Sequence, residues 1–246
     1  MTVGKEILEQ LKGKYCSIDE IETFVKQRNP LISRKTVVWQ VNELVKKGKV
    51  VRVGRGVYLF APKKRFNLTA SGLTRRAYKL LNSRLNYLEV TITDTSSLGD
   101  LMNLQPFSFV VCIETRKTAV NAVLSALQKE KIEAYSKKDF PKVERYVTTS
   151  QPVFVRPELA VNPSMPKEKN MRMANIEKIL VDLVCDEDIY GQYQGSELEN
   201  IYMNATERYA VNYSQMLKYA AARGKKTKVV EYLSETTEFK KVRDML

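Results

Sequence analysis

Apolar residues recur at helical spacing through the first 47 positions and then give way to a short alternating segment. This spacing predicts three helices, over residues 2–12, 17–28 and 33–47. Ser33 is a candidate N-cap of the third helix, and Gly48 is typical of a residue just past a helix end. Two β-prone runs then flank Gly54–Gly56, which predicts a hairpin. Three helices followed by a hairpin predict a winged helix-turn-helix domain over residues 1–65.

The third helix is predicted to have two chemically different faces. At about 100° per residue, its apolar stripe lies opposite a face of cationic and polar side chains that includes Trp39. Such side chains can contact phosphates and base edges, and arginines on the hairpin can reach an adjacent groove or the backbone. The predicted DNA-binding residues are Ser33, Arg34, Lys35, Thr36, Trp39, Gln40, Asn42, Lys46, Arg52 and Arg55. The alternative is a basic, solvated face with Trp39 buried against another part of the protein.

The middle of the chain alternates between strand-like and helical patterns. A basic connector at residues 61–65 is the predicted domain boundary and could be either a solvated linker or a DNA contact. A basic helix over 70–85 follows it. Beyond that, the pattern predicts strands at 88–92 (half-buried), 107–114, 132–135, 146–148 and 153–155, with helices at 95–104 and 116–130. Residues 66–166 are therefore predicted to form a small α/β domain.

From about residue 167 the pattern is predominantly helical. Predicted helices run through residues 176–184, from a cap at Ser196 to about 210, from Asn212 or Ser214 to 223, and over 227–236. The tail from residue 237 is expected to be loose. The predicted fold class is α+β: a winged helix-turn-helix domain (1–65), a small α/β domain (66–166) and a C-terminal helical region packed with it (167–246).

Charge is distributed unevenly along the 246 residues, whose net charge is +13. Residues 1–65 hold 15 Lys and Arg against 6 Asp and Glu, a net of +9, whereas residues 167–246 hold 13 of each. The excess positive charge thus belongs mainly to the segment with the winged pattern. A domain that binds a polyanion requires such an excess, because phosphates it neutralises release counterions.

Candidate catalytic chemistry is sparse. The chain has no histidine, and its three cysteines are far apart, which favours buried, reduced thiols. Glu114 with Lys117 follows an apolar strand and weakly resembles the strand ends of nucleases, and Asp186–Asp188 could hold a cation, but solvated charges are commoner at both places. We expect no catalytic residues, no metal and no cofactor. The rival hypotheses are a nuclease-like enzyme targeted by the winged helix, and a protein-interaction adaptor.

Targeting signals are also missing from the pattern. Charged residues interrupt the N-terminus, and the longest apolar run, about 107–113, is too short to span a bilayer. We therefore expect a cytoplasmic protein with no membrane partner.

Three segments resemble the AbiEi antitoxins, the regulator halves of abortive-infection, type IV toxin–antitoxin pairs. Residues 44–58, LVKKGKVVRVGRGVY, resemble the end of that family's N-terminal domain. Residues 175–183, NIEKILVDL, resemble its E-(K/R)-x-L-V-D-L helix, and residues 219–224, YAAARG, its later Tyr-Ala…Arg-Gly segment. The resemblance spans about residues 5–235.

This resemblance implies a function that the pattern alone does not supply. AbiEi proteins bind repeats in their own promoter through the winged domain and repress the antitoxin–toxin operon. Their C-terminal domain counteracts a nucleotidyltransferase toxin, in most accounts without a stable complex. The partners implied are therefore double-stranded promoter DNA and a cognate nucleotidyltransferase toxin.

Overall fold

The computed structural model describes residues 3–104, 108–138, 151–168 and 170–246. It combines helices with a three-stranded and a six-stranded sheet, which confirms the predicted mixture of α and β structure.

The N-terminal part contains three helices and the three-stranded sheet. In chain order the elements are α1 (Val3–Gln10), β1 (Tyr15–Ser17), α2 (Ile18–Lys26), α3 (Arg34–Lys46), β2 (Val51–Gly54) and β3 (Val57–Leu59). β3 pairs antiparallel with both of its neighbours, in the order β1-β3-β2. The predicted hairpin is thus confirmed, and Gly56 supplies the positive φ of 73° at its turn. Ser33 caps α3 by accepting a hydrogen bond from the Thr36 amide.

The six-stranded sheet forms the centre of the molecule. Its strands are β4 (Val90–Asp94), β5 (Val111–Thr115), β6 (Ala134–Ser136), β7 (Val153–Pro157), β8 (Ser164–Glu168) and β9 (Met171–Ala174). Their order is β6-β7-β5-β4-β9-β8. β5, β6 and β7 run parallel to one another, while β4 is antiparallel to β5 and parallel to β9. The carboxyl ends of β5, β6 and β7 therefore meet at one edge.

Helices and short 3₁₀ turns complete the molecule. The α-helices are α4 (Gly72–Arg84), α5 (Val120–Lys129), α6 (Ile176–Cys185), α7 (Ser196–Arg208), α8 (Tyr213–Ala222), α9 (Lys226–Glu235) and α10 (Thr237–Lys240). Helix α6 is buried along almost its whole length, from Ile176 to Val184. A helix that is buried on every side belongs to the core.

Several predictions about individual elements were wrong. The helical region does not begin at 167, because β8 and β9 occupy 164–174 and join the central sheet. The tail is not loose, since Phe239 and Val242 are buried. The strand at 88–92 is not half-buried, because every residue of β4 is enclosed.

Local details also differ at three other places. The short helix predicted at 95–104 is present as a 3₁₀ helix that ends at residue 101. Gly195, with a positive φ of 65°, precedes α7, so Ser196 is its first residue and not its cap. The strand predicted at 146–148 lies outside the described residues, as does the start of the one predicted at 107.

Both faces of the three-stranded sheet are covered. One face contributes Tyr58 and Phe60 to the core formed with α1, α2 and α3. The other contributes Val51, Val57 and Leu59 to the larger core around the central sheet. The sheet is therefore shared between the two hydrophobic cores.

The basic connector at 61–65 is packed against the C-terminal helices and is not a solvated linker. Lys63 Nζ donates to the Thr206 carbonyl and to Glu238, both at 2.7 Å. The Lys64 carbonyl accepts a 2.8 Å hydrogen bond from the Ala210 amide. Tyr15, from β1, donates to the same Glu238 carboxylate at 2.7 Å. These contacts join the N-terminal part to α7 and α10.

Candidate functional site

Helix α3 presents the predicted polar face to solvent. Its apolar stripe is buried at Val37, Val41 and Leu44, so the opposite side faces outward. Trp39, the single tryptophan of the chain, is 63% exposed. That exposure contradicts the alternative in which Trp39 packs against another part of the protein. The other exposed members of the predicted set on this helix and its cap are Ser33, Arg34, Lys35, Thr36, Asn42 and Lys46.

The cations on α3 differ in how far they are already paired. Arg34 Nη1 lies 2.6 Å from Asp19 and 2.5 Å from Glu22, both on α2. Lys46 Nζ lies 2.7 Å from Glu43. Lys35 has no hydrogen-bonding or ionic partner within the described ranges. Of these three, Lys35 is the cation with its charge left free for a ligand.

Gln40 stands apart from the rest of the predicted set. It is half-buried, and its side-chain oxygen is enclosed without a hydrogen-bond partner among the described residues. It therefore lies at the edge of the exposed face and not at its centre.

The hairpin arginines are exposed on a turn that is held in place. The Arg52 side chain donates to the Gly54 carbonyl at 3.2 Å, and the Arg55 amide donates to Ser214 Oγ, at the start of α8, at 3.0 Å. A Cβ at Gly54 would meet the end of the Leu246 side chain and Ser214 Oγ, so the hairpin lies close against the C-terminal part of the chain. The turn is therefore fixed against the C-terminal helices while both arginine side chains point to solvent.

A second group of charged residues lies in the core, and sequence reasoning missed it. We call it the ionic cluster, and it consists of Glu114, Arg156, Lys178, Asp182, Asp186 and Arg223. Strands β5 and β7 place Glu114 and Arg156 side by side in register. Helix α6 supplies Lys178 and Asp182 one turn apart.

Lys178 is the centre of the inner half of the cluster. Its Nζ donates to Glu114 and Asp182, both at 2.8 Å, and to the Tyr219 hydroxyl at 2.7 Å. Tyr219 in turn donates to the other oxygen of Asp182 at 2.8 Å. Arg156 Nε donates to Glu114 at 2.6 Å. Each buried charge here has an opposite charge within hydrogen-bond distance, as burial requires.

Asp186 is the centre of the outer half. It accepts hydrogen bonds from Arg156, Arg223 and Lys137. Arg223 Nη1 also reaches Asp182 at 2.7 Å. The interpretation of Asp186–Asp188 as a cation site or a solvated helix end was therefore wrong at Asp186, which is fully buried and paired with cations.

The electrostatics of the cluster follow from this pairing. Burial alone would raise the pKa of Asp182, but the charges of Arg156, Lys178 and Arg223 outweigh it and hold that pKa well below its usual range. Burial would likewise lower the pKa of Lys178, yet Asp182 and Glu114 raise it above its ordinary value. Both residues are consequently ionised at neutral pH.

Glu114 and Lys117 do not form the pair that a nuclease-like site would need. The Glu114 carboxylate is 3% exposed and is already bound by Arg156 and Lys178. Among the residues that the structure describes, no group of three or more cysteine or acidic side chains is placed to hold a metal ion. Glu114 is therefore occupied by protein cations.

One local signal in the sequence could have revealed part of the ionic cluster. Lys178 and Asp182 interrupt an otherwise apolar helix at i and i+4, a spacing that puts them on one face. Paired charges on a buried helix indicate an internal salt bridge. The partners on β5, β7 and α8 come from distant segments and could not be assigned from that signal.

Comparison with known proteins places the chain in one family. The family model described as "Family of unknown function (DUF6577)" matches residues 36–239. The chain belongs to this family. No protein of curated function matches it. The matched region takes in most of α3, the central sheet and the ionic cluster.

Within the described ranges, no helix has the length and apolar character to cross a bilayer.

Proposed function

We propose that this protein is a cytoplasmic, sequence-specific DNA-binding regulator of the winged helix-turn-helix kind. In this proposal α3 is the recognition helix and the β2–β3 hairpin is the wing. The observation that carries it is Trp39, a large apolar side chain 63% exposed on a face that also carries Lys35, Thr36 and Asn42. Such a surface suits a duplex, because lysine pairs with phosphate while threonine and asparagine reach base edges.

Charge supports the same assignment. Residues 1–65 have a net charge of +9. The next segment, residues 66–166, does not neutralise it, because that segment has a net charge of +4. Exposed Arg52 and Arg55 place two more cations on the fixed hairpin. A hairpin that is already held in place loses less conformational entropy on binding than a flexible loop would.

The regulatory role extends this proposal. On the resemblance to AbiEi antitoxins, the protein would repress its own operon and counteract a nucleotidyltransferase toxin through its C-terminal part. Growth rescue tests this: the genes beside this one are sequenced, and a nucleotidyltransferase encoded there is expressed alone and together with this chain. Rescue by the chain supports the antitoxin role, and continued toxicity with the chain present at high level contradicts it.

Electrophoretic mobility shift tests the DNA-binding proposal directly. The full chain is titrated on the DNA upstream of its own gene and on a scrambled duplex, at two salt concentrations. A shift specific to the upstream DNA, lost in Lys35→Ala/Thr36→Ala, is the expected result. Equal binding to both duplexes would contradict sequence specificity and favour the protein-interaction adaptor.

The control variant for that experiment is Lys218→Ala. Lys218 is exposed on α8, away from the proposed recognition helix in sequence, and has no ionic partner within the described ranges. Lys218→Ala removes one positive charge, as Lys35→Ala/Thr36→Ala does. If both variants lost binding equally, net charge alone would account for the mobility shift.

A further inference from the structure

A cleft opens at the carboxyl ends of the parallel strands β5, β6 and β7. Its volume is about 940 Å³, and the ionic cluster forms part of its wall through Glu114, Arg156 and Arg223. Crevices outside the carboxyl ends of parallel strands are common ligand sites in α/β proteins. This volume is near the upper end of the range of small-molecule pockets, roughly 300–1,000 Å³.

Two lysines at this cleft have charges that are not neutralised. Lys117 and Lys138 line it and are exposed, and neither has a hydrogen-bonding or ionic partner in the part of the chain that the structure describes. Lys137, which also lines the cleft, is already bound to Asp186. The surplus is therefore positive, which favours an anionic ligand.

The deeper wall is fixed, and its two arginines are already paired with buried carboxylates. Arg156 is only 5% exposed and is held by Glu114 and Asp186. Arg223 is fixed by Asp182 and Asp186 in the same way. Because their orientations are set before any ligand arrives, little side-chain entropy would be lost on binding.

The remaining wall is apolar with two uncharged polar groups. Val120, Pro157 and Leu159 supply the apolar surface, and Asn121 and Ser136 supply hydrogen-bonding groups. An inorganic anion would use only the cationic part of this cleft. A molecule with an anionic end and a flat, weakly polar body would use both.

We propose that this cleft binds a small phosphate-bearing organic molecule of nucleotide size. Its phosphate lies against Lys117 and Lys138, and its body lies against the apolar wall beside Asn121. Ammonium groups and phosphate oxygens form charge-assisted hydrogen bonds. The site is separate from the proposed DNA-binding face of α3, so either proposal can fail without the other.

Isothermal titration calorimetry of the full chain tests the proposal with three probes: ADP, adenosine and inorganic phosphate. We expect ADP to bind more tightly than either fragment, because only ADP engages both walls. In Lys117→Ala/Lys138→Ala the affinity for ADP should fall at least about tenfold. Both lysines are exposed, so we expect the variant to keep the thermal stability of the parent.

The matched control is Lys79→Ala/Lys129→Ala, which removes two exposed lysines elsewhere, one of them at the far end of α5. It should bind ADP like the parent. Four results would overturn the proposal: no heat with ADP, equal loss of affinity in both double variants, adenosine binding as tightly as ADP, or inorganic phosphate binding as tightly as ADP. The result with phosphate would mean that the cleft binds a free inorganic anion and not a molecule of nucleotide size.

Discussion

Lys178 Nζ and Asp182 Oδ2 lie 2.8 Å apart, one helical turn from each other on α6, and neither side chain is exposed to solvent. Opposite charges are costly to bury, and their attraction and hydrogen bonds must offset that cost. The surrounding cluster supplies those bonds from both sides. Removing Lys178 would take one buried cation away from both Glu114 and Asp182 and leave the cluster with uncompensated negative charge.

Lys178→Met should therefore destabilise the protein by about 3–5 kcal/mol. The variant keeps the side-chain volume but leaves the Glu114 and Asp182 carboxylates short of a cation. Urea denaturation followed by circular dichroism measures the change in the free energy of unfolding. Lys218→Ala, exposed on α8, is the control, and we expect it to change stability by less than about 0.5 kcal/mol. Similar stability of the two variants would show that the buried pair contributes little.

Trp39 provides an intrinsic fluorescent probe because it is the single tryptophan. Its 63% exposure predicts an emission maximum near that of free tryptophan in water for the native protein. If the α3 face binds DNA, upstream duplex should quench or blue-shift this emission as the ring loses water. Emission that is unchanged at saturating DNA would place Trp39 outside the interface.

Arg34 and Lys35 are neighbours in sequence but should differ in their contribution to DNA binding. Lys35→Ala should reduce the steepness of log K against log [salt] by about 0.9, the value for one phosphate contact. Arg34→Ala should change it less, because Asp19 and Glu22 already pair with that guanidinium. Fluorescence anisotropy across a salt series measures both slopes. An unchanged slope in Lys35→Ala would remove Lys35 from the interface.

Glu238 links stability to pH. Burial alone would raise its pKa, but hydrogen bonds from Lys241, Lys63 and Tyr15 lower that pKa to about 2. An unfolded glutamate has a pKa of about 4.3. Since the folded value is lower, the stabilisation is fully present above about pH 4.3 and is lost as pH falls from there toward 2.

Glu238→Gln should consequently lower the melting temperature at pH 7, and the difference from the parent should shrink between pH 4.3 and pH 2. Differential scanning calorimetry at a series of pH values measures it. Glu235→Gln is the control, because Glu235 is exposed and lies 4.0 Å from its partner Lys240. A difference at pH 7 that persists unchanged at pH 2 would mean that the carboxylate charge is not its cause.

Local signals in the sequence predicted α3 and its hairpin well. The Ser33 cap, the glycine after the helix and the Gly54–Gly56 turn act within a few residues, so their effects can be read without the rest of the fold. The β-prone runs on either side of that turn likewise indicated two paired strands.

Elements that depend on distant partners could not be predicted in the same way. β1 has three residues and forms only because β3 lies beside it. β8 contains Pro166 and two charged residues, and is a strand through its pairing with β9. The ionic cluster draws on four separate segments, and only the spacing of Lys178 and Asp182 is local. Phe239 and Val242 looked isolated because their contacts come from tertiary packing.

The shared three-stranded sheet restricts how this protein can evolve. Val51, Val57 and Leu59 belong to the larger core, while Tyr58 and Phe60 belong to the smaller one. A recombination event could exchange residues 1–65 for those of a distant relative. The sheet it brings in would present different side chains at positions 51, 57 and 59, and these would not fit the larger core. The N-terminal segment therefore cannot be exchanged as an independent domain. A substitution in the core on one side of the connector requires a compatible substitution on the other side.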